Sequence, residues 1–168
     1  MNIVLTGFMG TGKTAVGKIL ARRLEWTFCD TDELIEKEVG LPIKDIFQEK
    51  GEPFFRELEH KIVRRVSSKD HWVISTGGGV VLRAENMAAL EKNGMVVCLT
   101  ARPDTILERV AAEGTARPLL NVPDPRKKVE TLLSQRDPFY RRCGVRIETD
   151  SLSPEAAAEQ IIGWMEKK

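Results

Sequence analysis

The chain has 168 residues, 42% of them hydrophobic and 30% charged, with 26 basic against 25 acidic side chains and a net charge of +1. That is the size and balance of one soluble globular domain; it leaves no polyanion footprint, which argues against nucleic acid as a partner, and no apolar run nears the roughly 18 residues of a membrane span. No basic stretch followed by an apolar segment stands ahead of the first strand, so no signal peptide is read. The three cysteines, Cys29, Cys98 and Cys143, match no metal spacing. Cys29 and Cys98 sit in apolar strand-like runs as reduced core thiols, and a cytoplasmic location is expected.

The first element is a strand over 2–6, Asn-Ile-Val-Leu-Thr, and a helical pattern runs over 13–24. Between them lies Gly7-Phe8-Met9-Gly10-Thr11-Gly12-Lys13-Thr14, which is G-x-x-x-x-G-K-T, the phosphate-binding loop in the strand–loop–helix context it requires. Backbone amides from Gly10 through Ala15 and the helix dipole converge on one spot, which suits a polyphosphate. Lys13 would reach the β- and γ-phosphates, and Thr14 would place its hydroxyl on Mg²⁺.

A second strand over 26–30 ends in Asp30-Thr31-Asp32, and helices follow over 32–39 and 43–49. If the strand continues, both carboxylates face the cleft: one to hold Mg²⁺ or its water, the other to take a proton from an attacking hydroxyl. Capping of the next helix is the competing use of an Asp in this place. A helix over 53–67 opens with Gly51-Glu52-Pro53-Phe54-Phe55-Arg56-Glu57-Leu58-Glu59. Glu52, Arg56 and Glu59 share one of its faces by spacing, and Phe55, Leu58, Ile62 and Val66 form the apolar stripe. An arginine on so rigid a helix suits a bidentate grip on a carboxylate.

The third strand, 71–75, runs straight into Thr76-Gly77-Gly78-Gly79. Three consecutive glycines cost conformational entropy and make sense where backbone must touch a ligand. A helix over 83–92, a strand over 95–100 and a helix over 104–112 follow. Glu113 to Pro125 holds three prolines and Gly114, which exclude a regular helix and mark a lid or loop. Arg117-Pro118-Leu119-Leu120 lies inside it. A helix over 125–141 carries Arg136-Asp137-Pro138-Phe139-Tyr140. A strand over 144–148, with Arg146 on an edge, and a helix over 154–167 complete the chain. Eight of the 14 arginines lie between Arg102 and Arg146, so most of those must be structural or solvated.

Strands alternating with helices specify a three-layer α/β domain around a parallel sheet. Ligands of such sheets bind beyond the carboxyl ends of the strands, where each of these motifs stands.

Taken in order, the loop at 7–14, Asp30-x-Asp32, Gly51-Glu-x-x-Phe-Arg-x-x-Glu59, Thr76-Gly-Gly-Gly79, Arg117-Pro-Leu-Leu120 and Arg136-Asp-Pro-x-Tyr140 resemble shikimate kinase over nearly the whole chain. The resemblance implies a P-loop kinase fold with five parallel strands in order 2-3-1-4-5, in one domain over 1–168. Its core would be 1–31, 67–111 and 126–168, its substrate-binding region 32–66 and its lid about 112–125. It implies transfer of the ATP γ-phosphoryl group to the 3-hydroxyl of shikimate, in aromatic amino-acid biosynthesis. Arg56 and Arg136 would bind the shikimate carboxylate. Asp32 would bind the ring hydroxyls, as base or as orienting group. Gly77, Gly78 and Gly79 would meet the substrate with backbone, and Glu59 would hold Arg56. Phe47 and Phe55 would line the pocket. Thr14 would ligate Mg²⁺ with Asp30 in its water shell. Arg117 would be the lid arginine that closes on the nucleotide, and Arg109 and Pro154 would sandwich the adenine. A monomer is expected, with ATP and shikimate as its small-molecule partners. The rivals are another small-molecule kinase of the same fold, acting on gluconate or a nucleoside monophosphate, and a nucleotide-binding regulatory module.

Overall fold

The structure is a computed structural model that describes residues 1–114 and 120–167. Its first strand, β1 (Asn2–Thr6), is buried along its whole length. Such a strand must be covered on both faces, and its side chains divide accordingly. Val4 joins one apolar cluster, with Ile74, Val96 and Cys98. Ile3 and Leu5 join another, with Val73, Val97, Leu99 and Ile147.

Four further strands complete the sheet: β2 (Thr27–Asp30), β3 (Trp72–Ser75), β4 (Gly94–Thr100) and β5 (Val145–Glu148). All pair in parallel in the order β2-β3-β1-β4-β5, as the family resemblance implies. Helices α1 (Lys13–Leu24) and α7 (Pro154–Met165) cover the face that carries Ile3 and Leu5, through Val16, Leu20, Ala157 and Ile161. The other face is covered by α3 (Ile43–Ser67), α4 (Ala84–Asn93), α5 (Pro103–Glu113) and α6 (Pro125–Tyr140), through Ile62, Leu90, Ile106 and Val129. Helix α2 (Thr31–Val39) packs on α3. No helix among the described residues is long and apolar enough to cross a membrane. Cys29, Cys98 and Cys143 are buried and unpaired.

Three local departures from the sequence reading have physical causes. The helices expected over 43–49 and 53–67 are one element, α3, broken at Gly51, whose backbone (φ 82°, ψ 166°) is closed to other residues. A single 3₁₀ turn over Val80–Leu82, too short to leave a periodic signal, follows the triple glycine. The extended backbone stops at Asp30, whose Oδ1 accepts from the amides of Asp32 (2.9 Å) and Glu33 (3.4 Å). That capping starts α2 at Thr31. Asp32 therefore faces the cleft from the first turn of a helix, and the expectation of two carboxylates on a continued strand is corrected.

Candidate active site

All five strands end at one edge of the sheet, and the loop at 7–12 sits there after the central strand. Gly7 is at φ 135°, and a Cβ on it would stand 2.2 Å from the carbonyl oxygen of Leu99, so only glycine lets the loop pass β4. Gly10 and Gly12 also lie in the left-handed region, at φ 74° and 97°. The Thr11 hydroxyl donates to Phe8 O at 2.7 Å and braces the turn. Lys13 Nζ donates to Gly7 O (2.7 Å) and Phe8 O (2.9 Å), which lays the ammonium over the loop. Helix α1 has no acid in its first turn and is capped by Gly12, which has no side chain. Its positive end is left to an anion.

Thr14 Oγ1 donates to Asp30 Oδ2 at 3.3 Å. Asp30 thus caps α2 with one oxygen and meets Thr14 with the other. The pair sets two hard oxygen donors side by side at the mouth of the loop.

On the α5–α7 side of the loop is a cavity of about 260 Å³ lined by Gly10, Gly12, Ala15, Arg109 and Pro154 among others. Arg109 is fixed there. Its Nη1 donates to Gly10 O (3.2 Å) and Thr149 Oγ1 (2.9 Å), and its Nη2 to Thr149 O (2.5 Å).

The other half of the site is organised by the triple glycine. A Cβ on Gly77 would stand 2.8 Å from Asp32 Oδ1. One on Gly78 would stand 3.1 Å from Arg136 Nη1 and 3.3 Å from Gly7 O. One on Gly79 would stand 2.6 Å from both Arg56 Nη1 and Nη2. The missing side chains are the space into which three charged groups from α2, α6 and α3 converge. Gly78 also stands next to the phosphate loop, close enough that a side chain on it would meet Gly7 O, so the two halves are neighbours.

The two arginines are held. Arg56 Nη1 meets Glu59 Oε1 at 3.0 Å, and its Nε meets Glu52 Oε1 at 3.4 Å. Its guanidinium lies 5.2 Å from the Phe55 ring, which packs on Phe47 with 4.5 Å between centroids. Phe55 is the floor beneath Arg56, and Phe47 backs it. Arg136 lies 5.6 Å from the ring of Phe8. Tyr140 donates its hydroxyl to Gly78 O at 2.7 Å. Burial, only partly offset by Arg136, pushes that phenol up to about 12, so it stays a donor. Thr31 Oγ1 accepts from the Gly77 amide at 3.2 Å.

The electrostatics are those of a poised site. Asp32 Oδ1 is shielded from water and has no hydrogen-bond partner among the described residues. Burial first, then the nearby charges of Asp30 and Glu59, push the Asp32 carboxyl up from 3.8 to about 7, against the pull of Lys13. Glu59 is 1% exposed, and burial raises its carboxyl too, with Arg56 opposing. A buried oxygen without a partner costs stability and is found where a ligand completes it.

Most of the residues singled out in the sequence are brought together here. Arg117 lies outside the described residues. Sequence reasoning left Tyr140, Thr31 and Thr149 without roles. Tyr140 is the chain's one tyrosine and closes an arginine-bearing motif, a signal that could have been used. Thr31 and Thr149 matter through contacts 46 and 138 residues away along the chain, which no local pattern reveals.

A sequence profile described as shikimate kinase matches residues 9–166. A shikimate kinase of Thermodesulfovibrio yellowstonii is 47% identical over 166 residues, covering 99% of this chain and 95% of that protein. One of Caldicellulosiruptor saccharolyticus is 50% identical over 161 residues, with 96% and 93% covered. Among solved structures, the shikimate kinase from Acinetobacter baumannii in complex with shikimate superposes with a TM-score of 0.93 at 37% identity, covering 99% of this chain and 93% of that one. With the P-loop kinase topology and the site geometry, these matches place the chain in the shikimate kinase family.

Proposed function

We propose that this phosphotransferase moves the γ-phosphoryl group of ATP to the 3-hydroxyl of shikimate, as in chorismate and aromatic amino-acid biosynthesis. The observation that carries the reading is the convergence at Gly77–Gly79. Two guanidinium groups and one unpartnered carboxylate oxygen surround a backbone turn beside the phosphate loop. A small acid with hydroxyl groups satisfies that arrangement, and a regulatory nucleotide alone does not.

Phosphoryl transfer needs positioning and charge stabilisation more than covalent help from the protein. Arg56 and Arg136 bind the acceptor carboxylate through charge-assisted hydrogen bonds and so fix the ring. The backbone of Gly77, Gly78 and Gly79 forms the wall behind it. Glu59 and Glu52 hold Arg56, Phe55 and Phe47 support it, and Tyr140 locks the turn. Asp32 meets the reacting hydroxyl. The acceptor oxygen bonds to the γ-phosphorus, the bond to the β–γ bridging oxygen breaks with its electrons to ADP, and the hydroxyl proton passes to Asp32. Raised to about 7, Asp32 is ionised in part at neutral pH, which suits a group that must take a proton there.

On the donor side the amides from Gly10 to Ala15 and Lys13 hold the phosphates. Arg109 and Pro154 flank the base. Arg117, assigned on its motif, meets the charge of the transferring group. Thr14 and Asp30 fit Mg²⁺, which uses one or two protein oxygens beside water and phosphate; Thr14 would bind it directly and Asp30 through water. Bound there, the ion would supply positive charge to offset that of the phosphates. Residues 32–66 form the acceptor-binding region and about 112–125 the lid, of a monomer acting in the cytoplasm.

A coupled ADP-release assay with shikimate, gluconate and AMP tests the reading. ADP formation with shikimate alone is the expected result. Turnover with gluconate or AMP in its place overturns the assigned acceptor.

A further inference from the structure

The phosphate loop is tied to the rest of the molecule at a point that its motif does not contain. Thr149 follows β5 and is 3% exposed. Its hydroxyl proton lies between two carbonyls, Thr11 O at 3.0 Å and Thr100 O at 3.1 Å. The same oxygen accepts from Arg109 Nη1 at 2.9 Å, and Thr149 O accepts from Arg109 Nη2. Arg109 Nη1 also donates to Gly10 O at 3.2 Å. Two consecutive loop carbonyls, Gly10 and Thr11, are thereby held from behind by one hydroxyl and one guanidinium. When their carbonyls are held backward, the peptide groups keep their amides turned toward the phosphates.

We propose that Thr149 is a positioning residue for the nucleotide: one hydroxyl sets both the orientation of the phosphate loop and the plane of Arg109, so that base recognition and phosphate recognition share a single strut. The proposal rests on the nucleotide half of the functional reading and not on the identity of the acceptor. The strut spans three elements: the turn after β1, the end of β4, and α5, which carries Arg109. Asp150, the next residue, adds a second tie. It accepts from the Arg102 amide (2.8 Å) and the Thr105 hydroxyl (2.7 Å) at the start of α5. The segment after β5 thus anchors α5 at its base and the phosphate loop at its back.

The variant is Thr149→Val, which keeps shape and removes the hydroxyl, with Thr149→Ser as the rescue. Calorimetric titrations with Mg·ADP, magnesium tripolyphosphate and shikimate read binding directly, without turnover. Loss of the charge-assisted contact and the loop bond should weaken ADP by about tenfold, about 1.4 kcal/mol. Tripolyphosphate, which has no base, should weaken in step, because the loop itself is loosened. Shikimate should change less than twofold, and Thr149→Ser should return ADP binding to within about threefold of the parent. The proposal is overturned if T149V lowers only the melting temperature. It is also overturned if tripolyphosphate binding is unchanged, if all three ligands weaken alike, or if Ser fails to rescue. Should T149V not fold, Thr149→Cys, with a far weaker hydrogen-bonding group, takes its place with the same expected and overturning results. Failure of the shikimate turnover assay would remove the acceptor assignment and leave this test standing.

Discussion

Replacing Asp32 by Asn should make the free protein more stable and the enzyme nearly inactive. The folded carboxyl titrates near 7, against 3.8 in the absence of the fold. Between those values the folded state holds a proton that the unfolded state has released, so stability falls as pH rises and levels off above about 7. The shift of about 3 units corresponds to about 4 kcal/mol at about 1.36 kcal/mol per unit. One carboxyl oxygen is shielded from water while the residue as a whole is only half-buried, which discounts the penalty to about 2–4 kcal/mol at pH 8. Asn has the same shape and no charge, so it escapes the penalty. In urea unfolding without ligands, the stability advantage of D32N over the parent should grow by about 2 kcal/mol between pH 5 and pH 8. Turnover should fall by about 10²–10⁴-fold, the usual worth of a positioned base, while Mg·ADP binding is retained. An advantage that is absent at pH 8, or that does not change with pH, refutes the argument that burial strains this carboxylate.

Two further substitutions divide the site into its halves. Arg56→Ala removes a charge-assisted contact of about 1.5–3 kcal/mol, so kcat/KM for shikimate should fall roughly ten- to 150-fold; unchanged steady-state constants would sink the carboxylate role. Lys13→Ala should abolish turnover in a protein with unaltered circular dichroism, and retained activity would refute the phosphate-loop assignment.

Much of the architecture was legible in the sequence because its signals are local. The run at 2–6 holds three successive apolar residues, Ile3-Val4-Leu5, as a strand buried on two faces requires. The phosphate loop and Ser153-Pro154-Glu155 mark helix starts by residue type, and Ser153 does cap α7 through the Ala156 amide at 3.1 Å. The pairing of Glu59 with Arg56 follows from helical spacing. The missing parts depend on the third dimension. That Asp30 divides its two oxygens between the α2 cap and Thr14 could not be read from sequence, where capping and cleft-facing uses of the carboxylate look the same. Nor could sequence show that Gly77, Gly78 and Gly79 each yield their side-chain space to a different charged residue, because Asp32, Arg56 and Arg136 come from three separate helices. A triple glycine marks a place where backbone can touch a ligand; the structure adds that it is also where the protein's own charged side chains fit.

Glu59 is where the acceptor-binding and proton-accepting parts of the site meet, and Glu59→Gln separates them. Glu59 is held at 3.0 Å from Arg56, and its charge is also among the causes that raise Asp32. A purely mechanical role for Glu59 predicts a looser Arg56, hence a higher shikimate KM and a lower kcat/KM by the same factor at every pH. An electrostatic role adds a second effect. Removing a negative charge near Asp32 makes its ionised form easier to hold, so its pKa falls. A base works when ionised, so activity is lost as pH drops through that pKa, and the acid limb of the kcat/KM profile for shikimate must move to lower pH in E59Q. The profile reports the enzyme before shikimate binds, the state in which the charge of Glu59 acts on Asp32. Movement of the limb with a raised KM is the expected result, measured from pH 5.5 to 9 at saturating Mg·ATP. A limb that stays in place would confine Glu59 to holding Arg56. A limb that moves upward would mean that Asp32 is not the group whose ionisation limits the reaction.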